Sequence, residues 1–234
     1  MDRPYILLSC AISLDGYIDD ASGPRLQLSD EADLEQVDDI RSDSDAILVG
    51  AGTIRADNPA LLLRSQVRRD ARTARGLSPD PARVVLSRSG DLDPAARIFM
   101  VGTDRILYVS SAAAESASAR LGAAADVVDA GDPVRLEAVL ADLAARGVAR
   151  LLVEGGRSLH TQFLASGLAD ELRLAVAPFF IGDSAAPRFV GNGDFPWNPG
   201  HRARLAEVTR AGDMAVLRYA LSGRYDAAGT ERYG

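Results

Sequence analysis

The sequence predicts an α/β fold of three layers, with a mostly parallel central sheet and an antiparallel C-terminal hairpin. Three observations carry that expectation. Apolar runs of strand length alternate with helix-period patterns along most of the chain. Small and charged residues gather just after several of these runs, where open α/β sheets place their ligands. The last two apolar runs, LAEVT at 205–209 and AVLRYA at 215–220, flank an Ala-Gly-Asp-Met segment, as in a hairpin.

In chain order, Pro4 to Ile12 reads as a buried strand closed by Asp15-Gly16. Residues 29–41 place Leu34, Val37 and Ile40 three apart, with acidic residues early and Arg41 at the end. That is an amphipathic helix with Ser29 or Asp30 as its cap. Ala46 to Val49 is the second strand, and Pro59 stops the turn that follows it. The arginine-rich stretch 64–83 reads as an exposed loop, 83–87 and 105–109 as strands, and 111–126 as a weakly amphipathic helix. Asp132-Pro133 supplies an N-cap and N1 pair for a helix running to Arg146, with Gly147 as its stop. Ala149 to Val153 is a strand, Glu154-Gly155-Gly156 leads into a helix through about Leu168, and Glu171 to Ala177 is another strand. The loop 182–200 is rich in Gly, Pro and Asn. Residues 1–221 are expected to form the functional domain and 222–234 a frayed, polar tail.

Composition narrows the function. Of 234 residues, 47% are apolar and 25% charged, an ordinary globular balance. No apolar run reaches the roughly 18 residues that span a bilayer. The N-terminus reads as a first strand rather than a signal segment, so a cytoplasmic protein without membrane partners is expected. A net charge of −7 argues against nucleic acid. One cysteine and two histidines exclude a thiolate-rich or histidine-cluster metal site, and no metal is expected. All 26 basic residues are arginine, which excludes Schiff-base, P-loop and Ser-Lys chemistry. Any bound anion must be held by arginine forks or backbone amides.

Gly50-Ala51-Gly52 begins a dinucleotide fingerprint whose third glycine would fall on Arg55, so the full fingerprint fails. Two readings stay open: a tight strand-to-helix turn, or a backbone that approaches a ligand with Thr53 capping a short helix. Asp57 lies one helical turn after Thr53, and Arg41 and Arg64 flank the segment. Glu154 stands at the mouth of a buried strand, where a carboxylate must be paired, hydrogen-bonded or functional. The following Gly155-Gly156 can let a backbone come close to a diphosphate. Hydrolase readings fail: there is no GxSxG elbow, His160 sits in a helix pattern beside Leu159 and Phe163, and His201 lies in a loop without a partner.

Taken together, SLDG at 13–16, DAILVGAGTIRADNPALLLR at 45–64, RVVLS at 83–87 and LLVEGG with ADELRLAVAP at 151–178 resemble the riboflavin-biosynthesis pyrimidine reductases over roughly residues 4–190. The resemblance implies a dihydrofolate-reductase-like fold, NADPH as cofactor, a homodimer, and reduction of the ribosyl group of an aminopyrimidine ribose 5-phosphate to a ribityl chain. It implies cofactor contacts from Ala11, Gly50, Thr53, Asp57 and the run Gly155, Gly156, Arg157, Ser158 and Leu159. Ser87 and Arg88 would lie near the adenosine phosphate end. Substrate contacts would come from Arg25, Arg41, Leu61, Arg64 and Glu154, with the arginines on the 5-phosphate and Asp57 and Glu154 as catalytic carboxylates. Bacterial relatives often carry lysine where this chain has Ser9, tryptophan in place of Gln27, and a second aspartate in place of Asn58. These departures keep two alternatives in view, a paralogous reductase of a pterin-like or secondary-metabolite pyrimidine and a non-catalytic NADPH-binding sensor. One cysteine cannot supply the zinc set of the deaminase half that often accompanies this domain.

Overall fold

Each apolar run that the sequence marks as a strand becomes one. The computed structural model describes residues 3–22, 26–102 and 104–226. Among them the strands are β1 (Tyr5–Ser13), β2 (Ala46–Gly50), β3 (Ala82–Leu86), β4 (Arg105–Val109), β5 (Asp126–Asp129), β6 (Arg150–Gly155), β7 (Glu171–Ala177), β8 (Arg204–Ala211) and β9 (Met214–Ala220). The helices are α1 (Glu31–Ser42), α2 (Ala51–Asp57), α3 (Gln66–Ala74), α4 (Arg97–Met100), α5 (Ser111–Leu121), α6 (Leu136–Ala145) and α7 (Arg157–Ala165). None of these helices is long and apolar enough to cross a membrane.

The chain divides into two compact units, one holding residues up to Pro4 and Asp38–Leu152, the other Tyr5–Val37 and everything from Val153 on. In the first unit β2, β3, β4 and β5 are successive parallel neighbours, in register from Ala46↔Ala82 to Gly50↔Leu86 and onward to Val109↔Asp129. Ile47, Leu48, Val49, Leu107 and Val109 are fully buried, the continuous apolar pattern of strands covered on both faces. In the second unit β1 lies parallel to β7, from Leu7↔Glu171 to Ser13↔Ala177. β9 runs antiparallel to β7, and β8 antiparallel to β9, with a bulge between Leu205 and Glu207. The architecture is therefore α/β with mostly parallel strands and antiparallel C-terminal strands, as the sequence predicts.

Several local expectations need correction. The arginine-rich stretch 64–83 is not all loop: Ser65 caps α3, accepting the Arg68 N–H. Arg72 of this helix is buried and donates to the carbonyls of Ser42, Ser44 and Ser78 at 2.7–2.9 Å. A cation thus fills a core position that sequence periodicity assigns to apolar residues. Asp132-Pro133 does not open α6; residues 131–134 form a turn closed by Arg135 N–H on the Ala130 carbonyl, and Arg135 is the cap residue. The expected helix over 111–126 ends at Leu121, and Asp126–Asp129 is a strand paired with β4. For α1 the structure selects Asp30, whose carboxylate accepts the Asp33 N–H at 2.9 Å.

Buried charge in the second unit is paired. Arg173 and Asp33 meet at 2.5 Å with almost no exposure, and the same nitrogen donates to Gln36 at 3.0 Å. Asp170 accepts from Ile6 N–H, the Ser222 hydroxyl and Arg224, which ties residues 222–224 to the start of β7.

Candidate functional site

The first unit assembles its share of the predicted residues at the carboxyl ends of β2 and β3. Gly50 ends β2 opposite Leu86, so the start of α2 and Ser87 stand at the same level of adjacent parallel strands. The strand runs directly into the helix, which makes Gly50 the cap residue. Thr53 is therefore inside the first turn and does not cap the helix, a correction to the sequence expectation. Thr53 and Asp57 share α2 one turn apart, both half-buried. Gly52 between them is exposed, and a Cβ there would meet nothing within 4 Å, which leaves its backbone open to a ligand.

The chain from 58 to 65 is held by side chains rather than by secondary structure. Asn58 closes α2 in a left-handed conformation and accepts the Arg97 N–H at 2.7 Å. Leu61 is buried with φ of 53°. Arg41 donates to the Leu62 carbonyl at 3.3 Å, Asp80 accepts the Leu63 N–H at 2.8 Å, and Asp38 accepts the N–H groups of Arg64 and Ser65. These contacts fix the backbone of Arg64 while its side chain stays exposed, and they bring Arg41 to the same loop. Beyond β3, Ser87 is buried and accepts the Gly90 N–H at 3.0 Å, and Ser110 donates twice to the Arg88 carbonyl. Arg55 reaches the Asp91 carbonyl at 3.1 Å, tying α2 to this turn. The Arg88 side chain is exposed, and Arg120 donates to the Gly90 carbonyl nearby.

The second unit holds the rest. Ala11 is half-buried near the end of β1, in register with Ala175. Glu154 is half-buried in β6, followed by Gly155 with φ of 100° and a cis peptide to Gly156. Gly156 is the cap residue of α7 and brings no side-chain cap. Its carbonyl accepts the N–H groups of Leu159 and His160 at 3.0 Å each. Arg157 and Ser158 are exposed and Leu159 is buried. An uncapped helix start after two glycines suits an anion held by backbone amides. Such amides fit a phosphate group of a dinucleotide. Arg25 lies outside the described residues.

Sequence reasoning missed two residues. Asp38 pins the Arg64 backbone but is one of many acids on α1, with nothing in its spacing to single it out. His160 backs the Gly155 turn, and its signal was position: it falls four residues after Gly156, where a helix turns back over its own start.

Comparison with known proteins bears on this geometry. Residues 4–217 match the RibD C-terminal domain family. A 2,5-diamino-6-ribosylamino-4(3H)-pyrimidinone 5′-phosphate reductase of Archaeoglobus fulgidus is 36% identical over 212 residues, covering 90% of this chain and 95% of that protein. The protein of the same name from Methanothermobacter thermautotrophicus is 34% identical over 223 residues, covering 94% and 100%. Among solved structures, RibD of Acinetobacter baumannii superposes with a TM-score of 0.77 at 28% identity, over 93% of this chain and 58% of that one. Matched along nearly all of its length, the chain belongs to the RibD C-terminal domain family.

Proposed function

We propose that the protein uses NADPH to reduce the ribosyl group of 2,5-diamino-6-ribosylamino-4(3H)-pyrimidinone 5′-phosphate to the ribityl form, a step of riboflavin biosynthesis. The observation that carries this reading is the near full-length relationship to two archaeal reductases named for that compound. The same names favour the diamino substrate over its deaminated counterpart. A reductase of this family is consistent with a nicotinamide cofactor, and the choice of NADPH is supported by the exposed Arg88 beside Ser87.

When bound, NADPH supplies the hydride, whose acceptor is C1′ of the opened sugar imine. The chain's own residues bind, orient and protonate. Arg41 and Arg64 fork onto the 5′-phosphate, joined by Arg25. The amides from Gly155 to Leu159 hold the cofactor diphosphate, and Ser87 and Arg88 its adenosine phosphate end. Asp57 and Glu154 orient the sugar hydroxyls and the aminopyrimidine, and a carboxyl group or water gives the proton that completes the new C–H and N–H pair. Gly50, Thr53 and Ala11 serve as contacts for the cofactor and Leu61 for the pyrimidine. No protein nucleophile is needed, which suits a chain with one cysteine and two histidines. The protein acts as a homodimer in this reading, which light scattering checks.

The test is direct. Purified protein with NADPH and the diamino ribosyl phosphate should show loss of the nicotinamide absorbance, faster than with the deaminated compound. Tight NADPH binding without turnover of either pyrimidine would overturn the reading.

A further inference from the structure

The turn that follows β3, residues 87–91, lies at the surface and yet is tied down from several sides. Ser87 N–H reaches the Tyr108 carbonyl at 2.9 Å, and the Ser87 hydroxyl oxygen accepts the Gly90 N–H at 3.0 Å. The Arg88 carbonyl accepts from both the amide and the hydroxyl of Ser110, and Ser89 Oγ accepts the Asp91 N–H at 3.2 Å. The next two carbonyls are taken by arginines from two different helices. Arg120 of α5 donates to Gly90 at 2.6 Å, and Arg55 of α2 donates to Asp91 at 3.1 Å. Gly90 has φ of 61°, and a Cβ there would stand 2.7 Å from that of Ala117, so the turn also rests directly on α5.

Surface turns are ordinarily the loosely held parts of a fold. This one is fixed by side chains of α2, α5 and Ser110, and the two side chains it exposes, Arg88 and Ser89, are both polar. Neutral donors would satisfy the Gly90 and Asp91 carbonyls as well as guanidinium groups do. Using arginines instead brings three of them to the turn, counting Arg88, against one carboxylate within it. That carboxylate, on Asp91, is 80% exposed and 3.6 Å from Arg120. In a chain of net charge −7, such a local excess of positive charge suits a dianion. The Ser89 hydroxyl, accepting from Asp91 N–H, keeps its own proton to donate. We propose that Arg120 and Arg55 are positioning residues that hold this turn so that Arg88 and Ser89 grip a phosphate monoester, the 2′-phosphate that separates NADPH from NADH. The inference rests on the cofactor reading above, and adds to it Ser89 as a ligand and two arginines behind the turn.

Kd values for NADPH and NADH, read by nicotinamide fluorescence on the intact protein, separate a phosphate site from plain support of the fold. Arg120→Ala should weaken NADPH roughly tenfold and leave NADH unchanged, and Arg120→Lys should recover part of that loss. Arg55→Ala should act in the same direction. Ser89→Ala should weaken NADPH several-fold, again without effect on NADH, and adenosine 2′,5′-bisphosphate should follow NADPH in every variant. An equal loss for both cofactors in Arg120→Ala would show that Arg120 supports the fold alone. Unchanged affinity for NADPH in Arg120→Ala or in Ser89→Ala would equally overturn the proposal. Should Arg120→Ala fail to fold, Ser89→Ala, which removes one exposed hydroxyl, decides the matter. A parent protein that binds NADPH no more tightly than NADH would instead overturn the choice of NADPH, and this proposal with it.

Discussion

The carboxylate of Asp38 accepts the backbone N–H of Arg64 at 2.8 Å, with its other oxygen on Ser65 N–H at 3.1 Å. Asp38 is 1% exposed and also meets Arg68 at 3.2 Å. An acid of α1 thereby sets the path of the loop that carries a proposed phosphate ligand. Asp38→Asn should loosen that loop. One acceptor oxygen is replaced by an amide, so stability should fall by about 1–3 kcal/mol in urea unfolding. The KM for the phosphorylated pyrimidine should rise several-fold while the Kd for NADPH holds. Equal loss of both affinities would mean that Asp38 supports the unit as a whole and not this loop.

Arg64 itself offers the sharper test. Its backbone is fixed by Asp38 and its side chain reaches outward. Removing a charge-assisted hydrogen bond costs about 1.5–3 kcal/mol, so Arg64→Ala should raise the substrate KM roughly ten- to a hundredfold. NADPH binding should not change. Substrate lacking the 5′-phosphate should bind parent and variant equally, and any preference for the parent would contradict the assignment.

Arg88 tests the cofactor. Its backbone is held by two donations from Ser110, while its guanidinium is exposed. Arg88→Ala should therefore leave the turn intact and lower the preference for NADPH over NADH by roughly tenfold. A uniform drop for both cofactors would place Arg88 elsewhere on the ligand.

These residues differ in how legible they were in the sequence. The strands were readable because buried parallel strands carry continuous apolar runs, as AILV in β2 and LLV in β6 do. Their ends drew notice because Gly, Asp, Thr and Arg follow them so closely. β5 escaped because its four residues, DVVD, carry half-exposed valines between two exposed acids. α3 escaped because its buried position is an arginine that caps three carbonyls. Thr53 looked like a cap because Ser and Thr prefer that position, yet an unbroken strand-to-helix passage gave it to Gly50. Asp38 was illegible because it acts on the backbone of a loop 26 residues away, which its own periodicity does not reveal.

Gly155 carries a prediction that couples two positions. Its φ of 100° disfavours any side chain, and His160 occupies the space a Cβ would need. Gly155→Ala should destabilise by more than about 1 kcal/mol. In the G155A/H160A double variant the clash is gone, leaving the backbone cost and the loss of the His160 ring, so the combined loss should be smaller than the sum of the single losses. Strict additivity in thermal or urea unfolding would show that the two residues do not press on each other.

Asp15, in the SLDG segment, predicts a pH dependence. Its carboxylate accepts from the Ser13 hydroxyl at 2.6 Å and from the amides of Ile181 and Gly182 at 3.1 and 2.8 Å. The Ser13 bond, then the two amides, outweigh the opposing effect of burial and hold the pKa at about 2, below its ordinary 3.8. A carboxylate whose folded pKa is lowered favours folding wherever it is ionised in both states. That contribution is complete above 3.8 and is lost as pH falls from there through about 2. Asp15→Asn should accordingly unfold at a lower temperature than the parent at pH 6, because an amide has one acceptor where the carboxylate has two. The gap in Tm should narrow as the pH is taken from about 4 toward 2. A gap that stays constant over that range would mean that Asp15 anchors residues 181–182 by shape alone, with no contribution from its charge.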